Sequence, residues 1–537
     1  MPQFRFNPNP THNESDKTFA PVPQIKARVQ LRGQIKPRPL RALGPLFERH
    51  KPVVPDKSYR NFFAAVSKRV NYNDRRVFDK DIVSGFKRAT DTLPAYKEKI
   101  TWTRELFEDW VVKFAPEKQK RMVKAVEDFY VTATKNTDYS TKDLFAKVEA
   151  LLVGHKPGWA PRIIFKSTDL YNAFAGPVAA AVMERFNSRL KKSNSRHRYA
   201  LAYKAQPDNF LQFLDSHKGE FFDVPSYLES DFSGNDKTQT SSVVFTFGHF
   251  LRRMGVSETF IRLETRAMLS YSVKSPQYGF RATVENELAT GSVFTTLRNC
   301  WLNFSIHRSF LFTVPTICSS RTLILGDDML CSFHGKVSYL TKKYDSHASR
   351  CYMVCSSVRT KGVQNHNFLS KSLFRDWRGK IWCAPLLGKA LARFNVRANP
   401  NDGVPDDAYM FMKSMSYAYE FRYIEIFRDL FSERALLHAD KAREFFNRHS
   451  ADSQIVLQLE AEIVSWQYRQ RGARLKGLVA TLNSFECVEE MAYVIFLERR
   501  YGCSFEDLLR EVRRFVLGTS PCGVDNIVLE LLAGDFV

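Results

Sequence analysis

The tripeptide Gly326-Asp327-Asp328 stands between two apolar runs, at 322–325 and 329–333. Apolar runs of strand length on either side of a Gly-Asp pair spell a tight hairpin, because glycine supplies the left-handed turn and aspartate tolerates it. Two carboxylates are thereby set at the tip. A third, Asp231, closes the strand-like run Tyr227-Leu228-Glu229-Ser230-Asp231-Phe232, 96 residues upstream. That interval has room for a crossover with a helix and a loop, so the two runs can lie side by side. Clustered carboxylates repel one another and are costly to bury unless a cation neutralises them. Hard oxygen ligands suit Mg²⁺, with Mn²⁺ as a substitute. Two such ions about 3.5–4 Å apart stabilise an attacking hydroxyl and a leaving phosphate together. Asp231 and Asp327 are the expected metal ligands. Asp328 either joins them or only shapes the turn. Alone, the tripeptide is equally well a hairpin turn on a solvent edge; the acidic partner at Asp231 gives it chemical meaning.

Asp236 lies five residues beyond Asp231, past a turn, where it would face the same cleft. A carboxylate there can accept a hydrogen bond from a ribose 2′-hydroxyl. Thr295 and Asn299 are four apart, on one face of a helix expected to open after Gly291-Ser292, and would complete such a reader. Taken singly, Thr295 reads as a helix cap and Asn299 as an ordinary polar residue.

The chain carries 80 Lys+Arg against 57 Asp+Glu, a net charge of +23. Such an excess points to a polyanion, with nucleic acid first and an anionic membrane surface second. Residues 1–58 are basic and Pro-rich and read as a flexible extension that pairs with RNA phosphates, hangs free, or lies across the folded body. The nine cysteines are scattered without a Cys-x-x-Cys pair, which favours reduced thiols over a zinc site or a disulfide framework. No apolar run reaches the roughly 18–20 residues of a spanning helix. No G-x4-G-K-[ST] loop occurs.

At 537 residues, the chain is long enough for two or three subdomains. Three- and four-residue apolar spacing predicts helices over much of 59–153, including one at 141–145 after a turn at 138–140. A strand is expected at 163–165. Helices are expected at 173–190, entered through Gly176-Pro177, and at 241–254 and 295–312. Beyond the break at 399–403 the pattern is helical to the end.

Taken together, the pattern D-x4-D, then [ST]-G-x3-T-x3-N, then Gly-Asp-Asp resembles palm motifs A, B and C of viral RNA-dependent RNA polymerases. Asp236-Lys237-Thr238-Gln239 is similar to the D-K-S-Q form of motif A in positive-strand viruses of the alpha-like group. Lys147-Val148-Glu149, Lys156 and Pro161-Arg162-Ile163-Ile164 resemble the basic motif F of tombus-, noda- and alpha-like polymerases. Asn367-Phe368-Leu369-Ser370-Lys371 is similar to the motif E turn. The resemblance covers roughly residues 140–395.

It implies an α+β right-hand polymerase: an extension at 1–58, fingers at 59–225, a palm with an inserted fingers segment at 226–375, and a helical thumb at 376–537. It implies template-directed RNA synthesis from NTPs by two-metal nucleotidyl transfer, with pyrophosphate released. Asp231, Asp327 and Asp328 match the metal-binding carboxylates. Asp236, Ser292, Thr295 and Asn299 match the nucleotide and ribose positions. Lys147, Lys156, Arg162, Lys166 and Gly291 match positions on the triphosphate and template. A lysine after the helix that follows the hairpin would protonate the leaving pyrophosphate. Lys361 is the choice, with Arg359, Lys342 and Lys343 as rivals. The implied partners are RNA template and product, NTPs, and viral or host replication proteins. The implied place is the host cytoplasm, at membrane-bound replication complexes. A reverse transcriptase would want a bulky side chain where Asp236 stands. A non-catalytic RNA-binding or capsid protein would explain the charge and the basic extension but not the carboxylates.

Overall fold

Among the described residues two five-stranded β-sheets, a three-stranded one and two two-stranded pairings organise the chain, and their strand order brings distant stretches of sequence together. The computed structural model describes residues 28–29, 40–55, 57–70, 78–132, 137–147, 149–152, 159–193, 195–204, 207–217, 224–398, 403–450 and 484–536, with a few positions between 453 and 482. The described chain opens with the two-residue strands β1 (Arg28–Val29), β2 (Arg41–Ala42) and β3 (Leu46–Phe47). Helices α1 (Tyr59–Arg69), α2 (Lys80–Asp91), α3 (Arg104–Val111), α4 (Pro116–Thr132) and the single turn α5 (Thr137–Ser140) follow. Next come β4 (Thr141–Ala146), β5 (Ile163–Ser167), the long α6 (Asp169–Lys191), β6 (His197–Leu201) and α7 (Pro207–Leu214). β7 (Ser226–Phe232) runs through the short α8 (Asn235–Thr238) into α9 (Ser241–Arg253), α10 (Glu258–Leu269), β8 (Ser270–Ser275) and β9 (Phe280–Glu285). Then α11 (Thr295–Leu311) leads to β10 (Ile317–Leu325), β11 (Asp328–Gly335), α12 (Leu340–Arg350) and β12 (Cys355–Thr360). β13 (Asn367–Phe368), β14 (Lys371–Arg375), β15 (Ile381–Pro385), α13 (Leu387–Phe394) and β16 (Val396–Arg397) complete the mixed part. The rest is α14 (Asp406–Glu420), α15 (Glu425–Leu436), α16 (Ala439–Arg448), α17 (Glu490–Tyr501), α18 (Phe505–Leu517), β17 (Gly523–Val524) and α19 (Ile527–Ala533).

The sheet that matters most has the order β12-β7-β11-β10-β6. Its inner strands are buried on both faces, which is why they read as near-continuous apolar runs. Leu228, Ile324 and Met329 enter the large core with α6, α9 and α11. Their neighbours Tyr227, Leu323 and Leu330 point the other way, into a core shared with α7, β14 and β15. This is the two-residue alternation of a strand. A second sheet, β1-β9-β8-β4-β5, is covered by Phe62, Phe63 and Val66 of α1.

Three expectations change. The stretch 141–145 is strand, not helix: it pairs with β5 and β8, and its burial alternates, with Lys142 and Leu144 inside. Ladder pairing and burial override its helix-forming composition. The expected turn at 138–140 is part of α5. Gly176-Pro177 does not open a helix but lies inside α6, which starts at Asp169 with the Thr168 side chain accepting from the Tyr171 N–H. Gly176 is needed there because the Trp110 ring occupies the place of a Cβ, with Cζ2 2.1 Å away.

The part of the N-terminal extension from 40 to 55 is no free arm. β2 pairs with β16 and β3 with β17. Phe47 packs edge-on against Phe515 and Phe536, and Arg49 bridges to Asp525. Val53 then forms an isolated bridge with Leu151. Beyond 403 the described chain is almost wholly helical, as expected.

Candidate active site

Register alone gathers the carboxylates. Leu325 pairs with Asp328 across the β10–β11 hairpin, leaving Gly326 and Asp327 as the tip. Gly326 has φ +64°, the left-handed value this turn demands. β11 runs antiparallel to β7 with Met329 opposite Ser230, so Asp328 and Asp231 end adjacent strands on one edge. Burial pushes the Asp327 carboxyl up, and Asp236 and Asp231 push it further. Burial, then Asp327, Asp231 and Glu229, raise Asp328 to about 7, with Lys389 partly opposing. The carboxylates therefore share one electrostatic field short of positive charge. An oxygen-only donor set in that state fits a hard divalent cation. Among the described residues no group of three or more His, Cys, Asp or Glu side chains is placed to hold a metal ion.

The hairpin tip is held from behind by α11. The Asn303 amide donates to the carbonyls of Gly326 (3.3 Å) and Asp327 (3.0 Å). The Gly326 N–H donates to Cys300 Sγ at 3.1 Å. Neither residue stood out in the sequence, although Thr295, Asn299 and Asn303 share the i, i+4, i+8 face that would have flagged Asn303.

Asp236 is reached from β7 through Gly234, whose φ of +63° turns the chain back toward the sheet edge. Asn299 Nδ2 donates to Asp236 Oδ1 at 2.8 Å. The amide faces this way because a carboxylate can only accept. Gln239 Nε2 donates to Asn299 Oδ1 at 2.8 Å and so fixes the far side of the same amide. Thr290 Oγ1 donates to the other Asp236 oxygen. Thr295 is not part of this group. Its hydroxyl donates to the Ala289 carbonyl at 3.1 Å and accepts from the Gly291 N–H at 3.2 Å. It clamps the loop into α11, and the hydroxyl beside Asp236 belongs to Thr290 instead.

The loop 289–294 docks on β5. Phe165 N–H donates to the Thr290 carbonyl at 2.9 Å. Gly291 has φ +101°, and a Cβ there would meet Ile164 Cγ2 at 3.1 Å. Ser292 lies within 3.3 Å of the Tyr171 hydroxyl.

The basic run arrives through the same strand. Arg162 and Lys166 both stand on the exposed side of β5. Arg162 makes a two-pronged contact with Glu149, and Lys147 Nζ lies 3.2 Å from the same carboxylate. Burial alone would raise Glu149, but Arg162 and Lys147 hold it below the usual carboxylate range. Arg69 of α1 was not anticipated. It donates to the Pro161 carbonyl at 3.3 Å. Burial and then Arg162 lower its pKa, while Asp236 and Glu149 oppose. Lys166 sits farther out, opposite Asp143 in the ladder and near Lys118 of α4. Lys156 falls outside the described residues.

Lys361 is not brought to the carboxylates. Ser356 pairs with Asp231, and Lys361 lies five residues further along, past the end of β12. At about 3.3 Å per residue it is about 16 Å from the acidic end. Arg359 points the same way, donating to the Val337 carbonyl at 2.8 Å. The cation that does reach the hairpin is Lys389 of α13: it feels Asp328 and donates to Ser370 Oγ at 2.9 Å. With Arg393, Leu325, Ser370 and Tyr417 it lines a cavity of about 420 Å³ beside the hairpin.

The sequence model of the family described as RNA-dependent RNA polymerase matches residues 57–353. A search of curated proteins finds no match. The matched span exceeds half of the chain and holds Asp231, Asp236, Asp327 and Asp328, and the chain belongs to that family.

Proposed function

We propose that this RNA-directed RNA polymerase extends an RNA strand at the edge formed by β7 and the β10–β11 hairpin, by two-metal nucleotidyl transfer. The observation that carries the reading is the hydrogen-bonded set Asp236–Asn299–Gln239 beside Asp231, Asp327 and Asp328. It supports the reading of Asp236 as a ribose reader in the field of carboxylates that would bind metal. Asp231 and Asp327 would hold the divalent cations, with Asp328 in support. Bound there, Mg²⁺ supplies charge stabilisation for the attacking 3′-hydroxyl and the leaving pyrophosphate.

The chain's own residues do the rest. Asp236 accepts from the 2′-hydroxyl of the incoming nucleotide, and Asn299, held by Gln239, keeps that carboxylate aimed. Arg162, Lys147 and Arg69 receive the triphosphate. In the nucleotide-free chain Glu149 neutralises two of them, and a triphosphate with more charge would displace it. The loop at Gly291 and Ser292 seats the template base and nucleotide. Lys389 and Arg393, with the cavity they line, receive the product backbone. On this reading 59–225 form fingers, 226–375 a palm with an inserted fingers segment, and 376–537 a thumb. The Asp236-Lys237-Thr238-Gln239 string and the basic run support an origin in a positive-strand RNA virus of alpha-like or tombus-noda-like affinity. The place of work would be host cytoplasm, at membrane-bound replication complexes with other viral or host proteins. No described helix is long and apolar enough to cross a membrane.

The test is sugar selection. Asp236→Ala should lower the preference for NTP over dNTP by about tenfold to a hundredfold, the worth of one or two hydrogen bonds to a charged group. An unchanged preference would remove Asp236 from the ribose.

A further inference from the structure

Behind the Ser292 loop lies a buried carboxylate that the polymerase reading does not use. Glu264 of α10 is 1% exposed. Its two oxygens accept from Tyr171 Oη at 2.6 Å and Tyr139 Oη at 3.0 Å. Lys142 Nζ stands 4.3 Å from the Tyr171 ring centre and donates to Ser167 Oγ at 3.2 Å. A carboxylate in this position is expensive, and an apolar side chain would pack there at less cost. A fully connected polar network does what an apolar core cannot: it fixes the direction of each hydroxyl.

That direction can be worked out. Burial raises Glu264, but the Tyr171 hydroxyl, the Lys142 ammonium and the Tyr139 hydroxyl oppose this and favour the ionised carboxylate; in that form it only accepts, so Tyr171 spends its one hydrogen on Glu264. The 3.3 Å contact between Tyr171 and Ser292 must then run from the Ser292 hydroxyl to the Tyr171 oxygen. The Phe294 N–H, at 3.4 Å, occupies one lone pair of Ser292 Oγ. The remaining lone pair is an acceptor for a donor on an incoming base or ribose. We propose that Glu264, acting through Tyr171, is the positioning residue that orients the Ser292 hydroxyl and holds the 289–294 loop for nucleotide and template. The proposal rests on the reading that Ser292 faces the nucleotide.

The test uses the full chain, single-nucleotide incorporation on an RNA primer–template, and titrated active sites. Tyr171→Phe keeps the ring and its contact with Lys142 but frees the Ser292 hydroxyl. It should raise the KM for the incoming NTP about tenfold at near-parental kcat per active site. Ser292→Ala should do the same, and the double variant should be no worse than either alone. Tyr139→Phe takes a partner from Glu264 without touching Ser292. It should lower the unfolding midpoint and leave KM unchanged. Any of these results would overturn the proposal: effects of Tyr171→Phe and Ser292→Ala that multiply, a Tyr171→Phe protein with parental KM, a Tyr171→Phe protein that loses only active-site concentration, or a KM raised equally by Tyr139→Phe. Parental KM in Ser292→Ala would reject the placement of Ser292 at the nucleotide, and the proposal with it.

Discussion

The carboxylate Asp328 shows what the site costs the fold. Burial and three acidic neighbours raise it to about 7. The folded chain therefore binds a proton more tightly than the unfolded chain, whose aspartates ionise near 3.9. Stability contributed by that proton is present below about pH 4 and is lost as pH rises toward 7. The metal-free protein should accordingly unfold at a lower temperature at pH 7.5 than at pH 5.5. Asp328→Asn should narrow the difference by about 2–4 °C while reducing activity. An undiminished difference would show that Asp328 is not under this strain. Gln239 gives the second test at this scale. It is the one neighbour that fixes the far side of the Asn299 amide. Gln239→Ala should let the amide turn over and lose about tenfold in NTP-over-dNTP preference, with little change in folding. Equal discrimination by variant and parent would assign Gln239 to packing alone.

At the scale of elements, α11 is the frame on which the site is hung. It carries Asn299 to Asp236 and, one turn on, Asn303 to the carbonyls behind Asp327. Asn303→Ala should release the hairpin tip and lower kcat by about tenfold to a hundredfold, with the NTP KM little changed, because the variant misplaces charge and leaves nucleotide contacts intact. A KM effect without a kcat effect would contradict this. The helix and the hairpin were legible in the sequence because each has one strong local pattern: an apolar helix after Gly-Ser, and two apolar runs about a Gly-Asp turn. Elements and residues whose state depends on partners were not. The 141–146 stretch is strand because β5 and β8 flank it, and nothing in Thr-Lys-Asp-Leu-Phe-Ala says so. The resemblance points to a lysine after the helix that follows the hairpin, whereas strand register carries Lys361 away from the acidic end. Thr295 had the right spacing but spends its hydroxyl on the loop. Arg69 reaches the site from 167 residues before Asp236, a distance over which local pattern carries no information.

Across the whole molecule, the segment 40–55 ties the two ends of the chain together. It pairs with strands on either side of the C-terminal helices and then meets Leu151, just beyond Glu149. The basic, Pro-rich composition that suggested a loose arm hides this, because the strands are only two residues long. Phe47, 2% exposed, is its anchor in the C-terminal core. Phe47→Ala should cost about 3–5 kcal/mol and lower the unfolding midpoint by several degrees. A midpoint within error of the parent would mean that the segment is a passive covering. On the proposed function, Asp231 and the Asp327 hairpin form one catalytic edge. The most direct measurement is the rate of primer extension on an RNA template with NTPs and Mg²⁺, compared between parent, Asp231→Ala and Asp327→Ala. Each single substitution should abolish extension, by a factor of at least about 10³, while the folded proteins still bind RNA. Extension by either variant at a rate near that of the parent would contradict it.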